Sequence, residues 1–302
     1  MSPRIAVFTK NRSNPAYEAA RHGADRTAAR LGAIPTHYVP EQPDNVREQI
    51  ALIDQAIAER PDAVVFTPVH ETEINDAVLR FEAAGIPVFS FVTRATAGQP
   101  LCFAGSDDRA LGRDIARYLF GRISGRGEIF VLEGTPASAT SHARFKGFQD
   151  ALAEYPGISV RLSLCGEYQR DVARDVYLAN AGALNGIDAI LCANDVMALG
   201  VLDARGPDDG TLPPVVGINA IPEAIKAIGA GTMLATANFD AMTMCAIATE
   251  AAIRHLRGES VPREIMLPVQ VVDASNYRRF DMPFRDRVCP GWDDVLASAD
   301  VR

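Results

Sequence analysis

Ile5-Ala6-Val7-Phe8, then Thr9-Lys10-Asn11-Arg12-Ser13-Asn14-Pro15, then an amphipathic helix: this opening decides the fold. A short apolar strand, a polar loop and a helix return about every 25 to 30 residues, as in βαβ units. Open parallel sheets bind ligands outside the carboxyl ends of their strands. The polar strand-end loops are therefore where function is to be sought.

Working outward, the helix over 15–32 places Tyr17, Ala20, Ala24, Ala28 and Leu31 on one face, and a helix over 43–59 does the same with Val46, Ile50, Ile53 and Ile57. Strand 63–67 stops at Pro68, and a helix over 72–84 leads to strand 87–92. Near-continuous apolar strands imply a sheet covered on both faces. The pattern restarts after Gly105-Ser106-Asp107-Asp108. Helices at 108–122, 142–154, 170–184 and 222–229 then alternate with strands at 128–132, 160–164, 189–193, 215–218 and 233–237. Asp195 reads as an N-cap of the helix that follows strand 189–193. A long helix over about 240–257 ends at Gly258, a good C-cap. Strand 267–272 and an irregular tail with Trp292 close the chain. The halves are similar, and no linker rich in Gly, Ser or Pro separates them.

A chain of 302 residues is long for one core and right for two domains. The formal charge of −8 argues against nucleic acid or an anionic membrane as main partner. No apolar run approaches the roughly 18 residues of a membrane helix. No signal peptide is visible, which leaves either a cytoplasmic chain or one whose leader has been removed.

Cys102, Cys165, Cys192, Cys245 and Cys289 are scattered without CxxC spacing and read as buried free thiols. The five histidines are isolated, so no metal site and no cofactor is expected. P-loop, dinucleotide, nucleophile-elbow and HExxH motifs are missing. Asp107-Asp108 and Asp208-Asp209 read as a helix cap and a polar turn rather than as catalytic pairs.

The strand-end loops are instead rich in hydrogen-bonding side chains. Lys10, Asn11, Ser13 and Asn14 come first, with Tyr17 just inside the helix. Thr93, Arg94 and Thr96 follow a later strand. Ser141, His142 and Arg144 open a helix, and Tyr168, Asn194, Asn219 and Asn238 mark further strand ends. An Asn after a strand ordinarily caps a turn. The joint occurrence at successive carboxyl ends favours binding of a polyhydroxylated ligand. Amides and guanidinium groups hydrogen-bond hydroxyls, and aromatic rings stack on sugar C–H faces.

Four segments resemble the type I periplasmic solute-binding proteins of the ribose-binding group, which serve ABC transporters. Ser13-Asn14-Pro15-Ala16-Tyr17 resembles the family's "N-P-[FA]-[FY]" opening. Gly105-Ser106-Asp107-Asp108 with Leu111-Gly112 resembles its "SDN…LG" crossing. Arg144-Phe145-Lys146-Gly147-Phe148 resembles its "R-x-x-GF" helix start. Ala193-Asn194-Asp195-Val196-Met197-Ala198-Leu199-Gly200 is close to its "NDxMALG" motif. The resemblance spans roughly residues 4 to 272.

It implies two doubly wound parallel-sheet α/β domains joined by three hinge crossovers, with ligand binding in the cleft closing the hinge. The lobes would be 1–106 with 239–269, and 107–238 with 270–302. The crossings would fall near Gly105–Asp107, Ala237–Asp240 and Pro268–Val272. Lys10, Asn14, Tyr17, Thr67, Thr93 and Arg94 would line the first lobe. Arg144, Tyr168, Asn194 and Asn219 would line the second, with Asn238 or Phe239 near a hinge. The implied setting is a periplasmic monomer that delivers a monosaccharide, polyol or sugar acid to ABC permease subunits and has no enzymatic activity.

Two departures bear on the ligand. Acidic residues are common in the family where this chain has Thr93 and Asn219. With Lys10, Arg94 and Arg144 at the same ends and fewer acids, such a site tolerates a carboxylate or phosphate ligand, and a sugar acid or a small polyol is expected rather than a simple aldopyranose. The alternative is a sensor: the same fold forms the effector domain of LacI-like repressors or partners a membrane kinase. A repressor would carry a helix-turn-helix ahead of the first strand, which here begins by Ile5.

Overall fold

The computed structural model of the chain describes residues 2–136, 138–204 and 213–302; Asp208-Asp209 lies outside them. In chain order come β1 (Arg4–Phe8), α1 (Pro15–Leu31), β2 (Ile34–Tyr38), α2 (Val46–Glu59), β3 (Ala63–Phe66), α3 (Asn75–Ala83), β4 (Val88–Phe91) and β5 (Cys102–Ser106). Next are α4 (Asp108–Arg122), β6 (Arg126–Glu133), α5 (Ala139–Glu154), β7 (Gly157–Cys165), α6 (Arg170–Ala179), β8 (Ala189–Cys192), α7 (Asp195–Asp203), β9 (Val215–Ile218), α8 (Pro222–Gly229) and β10 (Ala235–Ala237). Then follow α9 (Ala241–Leu256), β11 (Glu264–Leu267), β12 (Val271–Asp273), α10 (Trp292–Ser298) and β13 (Asp300–Val301).

These elements form two compact units. The first takes the residues up to Ser106, Asp240–Pro268 and Arg285–Arg302; the second takes Asp107–Phe239 and Val269–Phe284. Among the described residues, the first unit's sheet has the order β13-β11-β5-β4-β3-β1-β2, parallel except for β13. The second unit's sheet has the order β12-β10-β9-β8-β6-β7, parallel except for β12. In the first sheet the strand order reverses between β1 and β3, and in the second between β6 and β8. Such switch points open a crevice at the carboxyl ends. The loops after β1, β3, β6 and β8 flank these crevices.

Three strands escape the sequence reading: β2, β5 and the two-residue β13 of the tail. β2 (IPTHY) is half-exposed and contains Pro35, as an edge strand tolerates. β5 lies where the sequence pattern shows only a crossing. The strand expected over 267–272 is two strands in different units, interrupted at Pro268. The tail also divides. Residues 285–302 belong to the first unit rather than the second, because β13 pairs with β11 and Trp292 packs beneath the Arg254 guanidinium, 4.8 Å from its ring centroid.

In the first unit Phe8, Tyr38 and Phe66 stand in register across three strands near their carboxyl ends. Phe8 stacks on Tyr38 at 4.8 Å and meets Phe66 and Phe81 edge-on. This aromatic row gives the strand ends a rigid floor. In the second unit α4 and α5 cross at a glycine contact. A Cβ on Gly112 would lie 2.2 Å from the Arg144 carbonyl oxygen, and one on Gly147 would lie 2.1 Å from that of Arg109.

Gly112→Ala is therefore expected to cost about 1–3 kcal/mol in urea unfolding. Gly121→Ala, in the same helix with open space around it, should stabilise by about 0.5–1 kcal/mol. Equal effects of the two substitutions would contradict the close crossing.

Candidate functional site

In the first unit the β1–α1 loop is braced from three sides. Asn14 caps α1 by accepting from Ala16 N, with Pro15 following in the first turn. Asn11 Oδ1 accepts from Asn14 N, and Asn11 Nδ2 donates to both carboxylate oxygens of Asp44 at 3.3 Å. Arg21 donates to the Asn11 carbonyl and to Thr9 Oγ1. The buried Lys10 ammonium donates to Thr93 Oγ1 at 3.1 Å. Thr93 itself follows a tight turn in which Thr93 N donates to the Phe91 carbonyl, with Val92 at φ 63. A β-branched residue in that region is strained. Thr67, at the end of β3, is buried and its hydroxyl lacks a partner among the described residues. Gln49 fixes the adjacent loop by donating to the Thr67 carbonyl and accepting from Val69 N.

In the second unit the hub is Arg144, 2% exposed. Its Nε donates to Asp108 Oδ1 at 2.8 Å and its Nη1 to the Ala193 carbonyl at 2.7 Å. Its Nη2 reaches Asn219 Oδ1 at 3.4 Å, and its guanidinium carbon lies 4.9 Å from the Phe239 ring centroid. One side chain on α5 thus gathers the start of α4 and the ends of β8, β9 and β10. Asn194 is the true cap of α7: its Oδ1 accepts from Met197 N, leaving Nδ2 buried without an acceptor among the described residues. Asp195, expected as the cap, is instead the first helical residue and faces inward. Its carboxylate accepts from Thr236 Oγ1 at 2.6 Å and from Ile221 N at 3.0 Å. That clamp holds the turn carrying Asn219 and Ala220, both at positive φ (135 and 51). The Tyr168 ring packs against Gly134, where any Cβ would collide with it.

The sequence-predicted residues thus fall into two local groups. Lys10 and Thr93 are hydrogen-bonded to each other, with Asn14, Tyr17 and Thr67 on the neighbouring strand ends of the same unit. Arg144 and Asn219 meet directly, and Asn194 lies beside the carbonyl that Arg144 engages. Tyr168 follows β7, and Asn238 follows β10 with its N–H donated to the Gln270 carbonyl. Arg94 does not join Lys10. Its guanidinium pairs with Glu264 and lies 3.9 Å from the Phe103 ring centroid, near the opposite ends of β5 and β11. Asp107 caps α4, whereas Asp108 is the counter-ion of Arg144.

Asp44 and Ser106 in the first unit, and Asp108 and Asp195 in the second, escape the sequence reading as contributors to these two groups. The Ser106 hydroxyl, at the end of β5, also lacks a partner among the described residues. Burial raises the Asp44 carboxyl above its ordinary value, while the Lys10 charge and the Asn11 amide pull it back. Complete burial pushes Asp195 up to about 6 against the hydrogen bonds of Thr236 and Ile221.

Residues 5–260 match the model of a periplasmic binding protein domain. The chain belongs to that family. Among its curated relatives, the xylitol-binding protein of Mycolicibacterium smegmatis is 26% identical, over 76% of this chain and 66% of the relative. The ribose import binding protein RbsB of Escherichia coli is 26% identical, over 89% of this chain and 90% of the relative. Among solved structures, an ABC transporter solute-binding protein from Actinobacillus succinogenes with bound D-allose superposes with a TM-score of 0.86 at 28% identity. It covers 92% of this chain and 99% of that one. This binding protein therefore shares the two parallel-sheet α/β architecture of its relatives.

The Asp195 clamp has a pH signature. Its folded pKa lies above the ordinary 3.8, so the native state binds more protons than the unfolded chain between about pH 4 and 6. Stability from this group is present at low pH and is lost as pH rises through that window. The difference in unfolding free energy between the native sequence and Asp195→Asn should fall by roughly 2 kcal/mol from pH 4 to pH 7. A difference that is flat or rises with pH would contradict a buried carboxylate here.

Proposed function

We propose that this chain is the non-enzymatic solute receptor of an ABC importer. In this reading it acts in the periplasm as a monomer and delivers a small polyhydroxylated solute to its permease. The observation that carries the reading is the Arg144 hub. A buried guanidinium bonded to the Asn219 amide and to the carbonyl of Ala193, the residue before Asn194, stands at the switch point of its sheet. Fixed planar donors of this kind orient hydroxyl and ring oxygens. The relatives named above bind xylitol, ribose and allose, which are all polyhydroxylated. Lys10, Asn14, Tyr17, Thr67 and Thr93 are proposed as ligand contacts in the first unit, and Arg144, Tyr168, Asn194, Asn219 and Asn238 in the second. Arg94 is proposed to support the Phe103 ring rather than to touch solute, because its charge is met by Glu264.

The test is a thermal-shift panel of pentoses, hexoses, alditols, inositols and sugar acids. A solute at about 100 times its Kd should stabilise the native state by about 2.7 kcal/mol and raise the melting temperature accordingly. In Asn194→Ala the shift should shrink by several-fold or vanish. No shift with any carbohydrate, alongside a shift with amino acids or purines, would reject the reading.

A further inference from the structure

We infer that Cys245 and Cys289 are a disulfide-forming pair that fastens the last stretch of the chain onto α1 and α9 of the first unit. The inference goes beyond the proposed function and leans on it only for an oxidising, periplasmic setting. Both residues are free thiols in this structure, Cys245 fully buried and Cys289 partly so. Their placement follows from the helices they lie against. A Cβ on Gly23 would lie 2.2 Å from the Met242 carbonyl oxygen, and further along Arg30 pairs with Glu250, so α1 and α9 run side by side in the same direction. Three residues on from Gly23 stands Arg26, and three on from Met242 stands Cys245. These two therefore share one level of the helix pair. The last stretch of the chain crosses at that level, where Arg26 Nη1 donates to the Arg287 carbonyl at 2.5 Å. Three residues beyond Cys289, the buried Trp292 ring lies with its centroid 4.8 Å from the Arg254 guanidinium, which in turn bonds Glu250. Cys289 is thus held between two anchors, over the part of α9 that runs from Cys245 to Arg254.

The surroundings of the two thiols agree with this placement. Cys289 is among the groups whose charge reaches Cys245, and Cys289 in turn faces Asp240, Arg26, Arg30 and Glu250. Neither Cys102 nor Cys192 has another thiol among its charged neighbours within the described residues, and Cys165 donates to the Gly134 carbonyl at 3.3 Å. Burial raises both thiols of the pair above their ordinary value, Cys289 to about 11. Neither thiolate is favoured, so the reduced pair lacks the stabilisation that makes catalytic dithiols strong oxidants. That suits a lasting crosslink. A disulfide needs its Cα atoms within about 7 Å. Residues 288–291 have no regular secondary structure, which leaves the backbone at Cys289 free to meet that spacing. The step is a thiol–disulfide exchange. The more accessible Cys289 sulfur attacks a small disulfide such as oxidised glutathione and expels one thiol. Cys245 then attacks the Cys289 sulfur of the mixed disulfide and expels the second. The two protein thiols give up two protons and two electrons, and the small disulfide takes them up as two thiols.

The test refolds the full chain from urea in a buffer of reduced and oxidised glutathione, so that access to buried sulfur does not limit the reaction. The product is then alkylated and its peptides are mapped by mass. Two of the five thiols should be lost, in one linked pair of peptides that holds Cys245 and Cys289. The oxidised protein should melt several degrees above the same protein after reduction, since the crosslink restricts the unfolded chain. Cys289→Ser should abolish that difference and leave every remaining thiol open to alkylation. Cys165→Ser, in the second unit, should leave both the link and the difference intact. Five free thiols, a glutathione adduct on Cys289 with Cys245 still alkylated, a link between another pair, or a link that leaves the melting temperature unchanged would each overturn the inference. None of these outcomes bears on the solute-receptor reading, which the ligand panel tests separately.

Discussion

The buried Arg144–Asp108 pair is the constraint on which the second unit's proposed binding face depends. A buried ion pair adds little net stability against an apolar replacement, yet removing one partner costs about 3–5 kcal/mol. Such a pair holds a register more than it holds a fold together. Here it can form only because α4 and α5 approach closely enough for Gly112 to meet the carbonyl of Arg144 itself. Helix packing and the hub are therefore one contact seen from two sides. Through Nη1 and Nη2 the same guanidinium fixes the end of β8 and orients Asn219 after β9.

Strain collects around this framework where the strand-end residues leave regular strands. Asn219 and Ala220 both adopt positive φ, and the turn is held by Asp195 and Thr236 from below. Val92 does the same before Thr93 in the first unit. Each such residue costs on the order of 1–3 kcal/mol and persists because its neighbours over-determine it. The full burial of Asp195, with its raised carboxyl pKa, is part of the same arrangement: a charged group kept out of water so that a loop cannot relax.

Much of this was legible in the sequence, and the reasons are physical. Apolar strands such as Ala63–Phe66 and Ala189–Cys192 are buried on both faces and announce themselves by composition. The glycines in the family-like segments are explained by the structure: a Cβ on Gly112, Gly147 or Gly200 would lie within 2.2 Å of a neighbouring helix's carbonyl oxygen. β2 was missed because an edge strand need not be apolar, and with it went Asp44, whose loop follows that strand. Arg94 was grouped with Lys10 because position in a loop does not reveal that a guanidinium turns back onto Phe103 and Glu264. Asp108 and Asp195 were read as local caps, since their partners at Arg144 and Thr236 lie 36 and 41 residues away. The split of the tail between the units rests on strand pairing that a two-residue strand cannot signal.

The most direct test of the account is a crystal structure of the protein with its tightest-binding solute. The account predicts solute oxygens within about 2.7–3.2 Å of the Asn194 amide nitrogen and of an Arg144 guanidinium nitrogen. It also predicts that Arg94 remains on Glu264. A solute held elsewhere, with the Arg144 hub untouched and the Asn194 amide still without an acceptor, would contradict it.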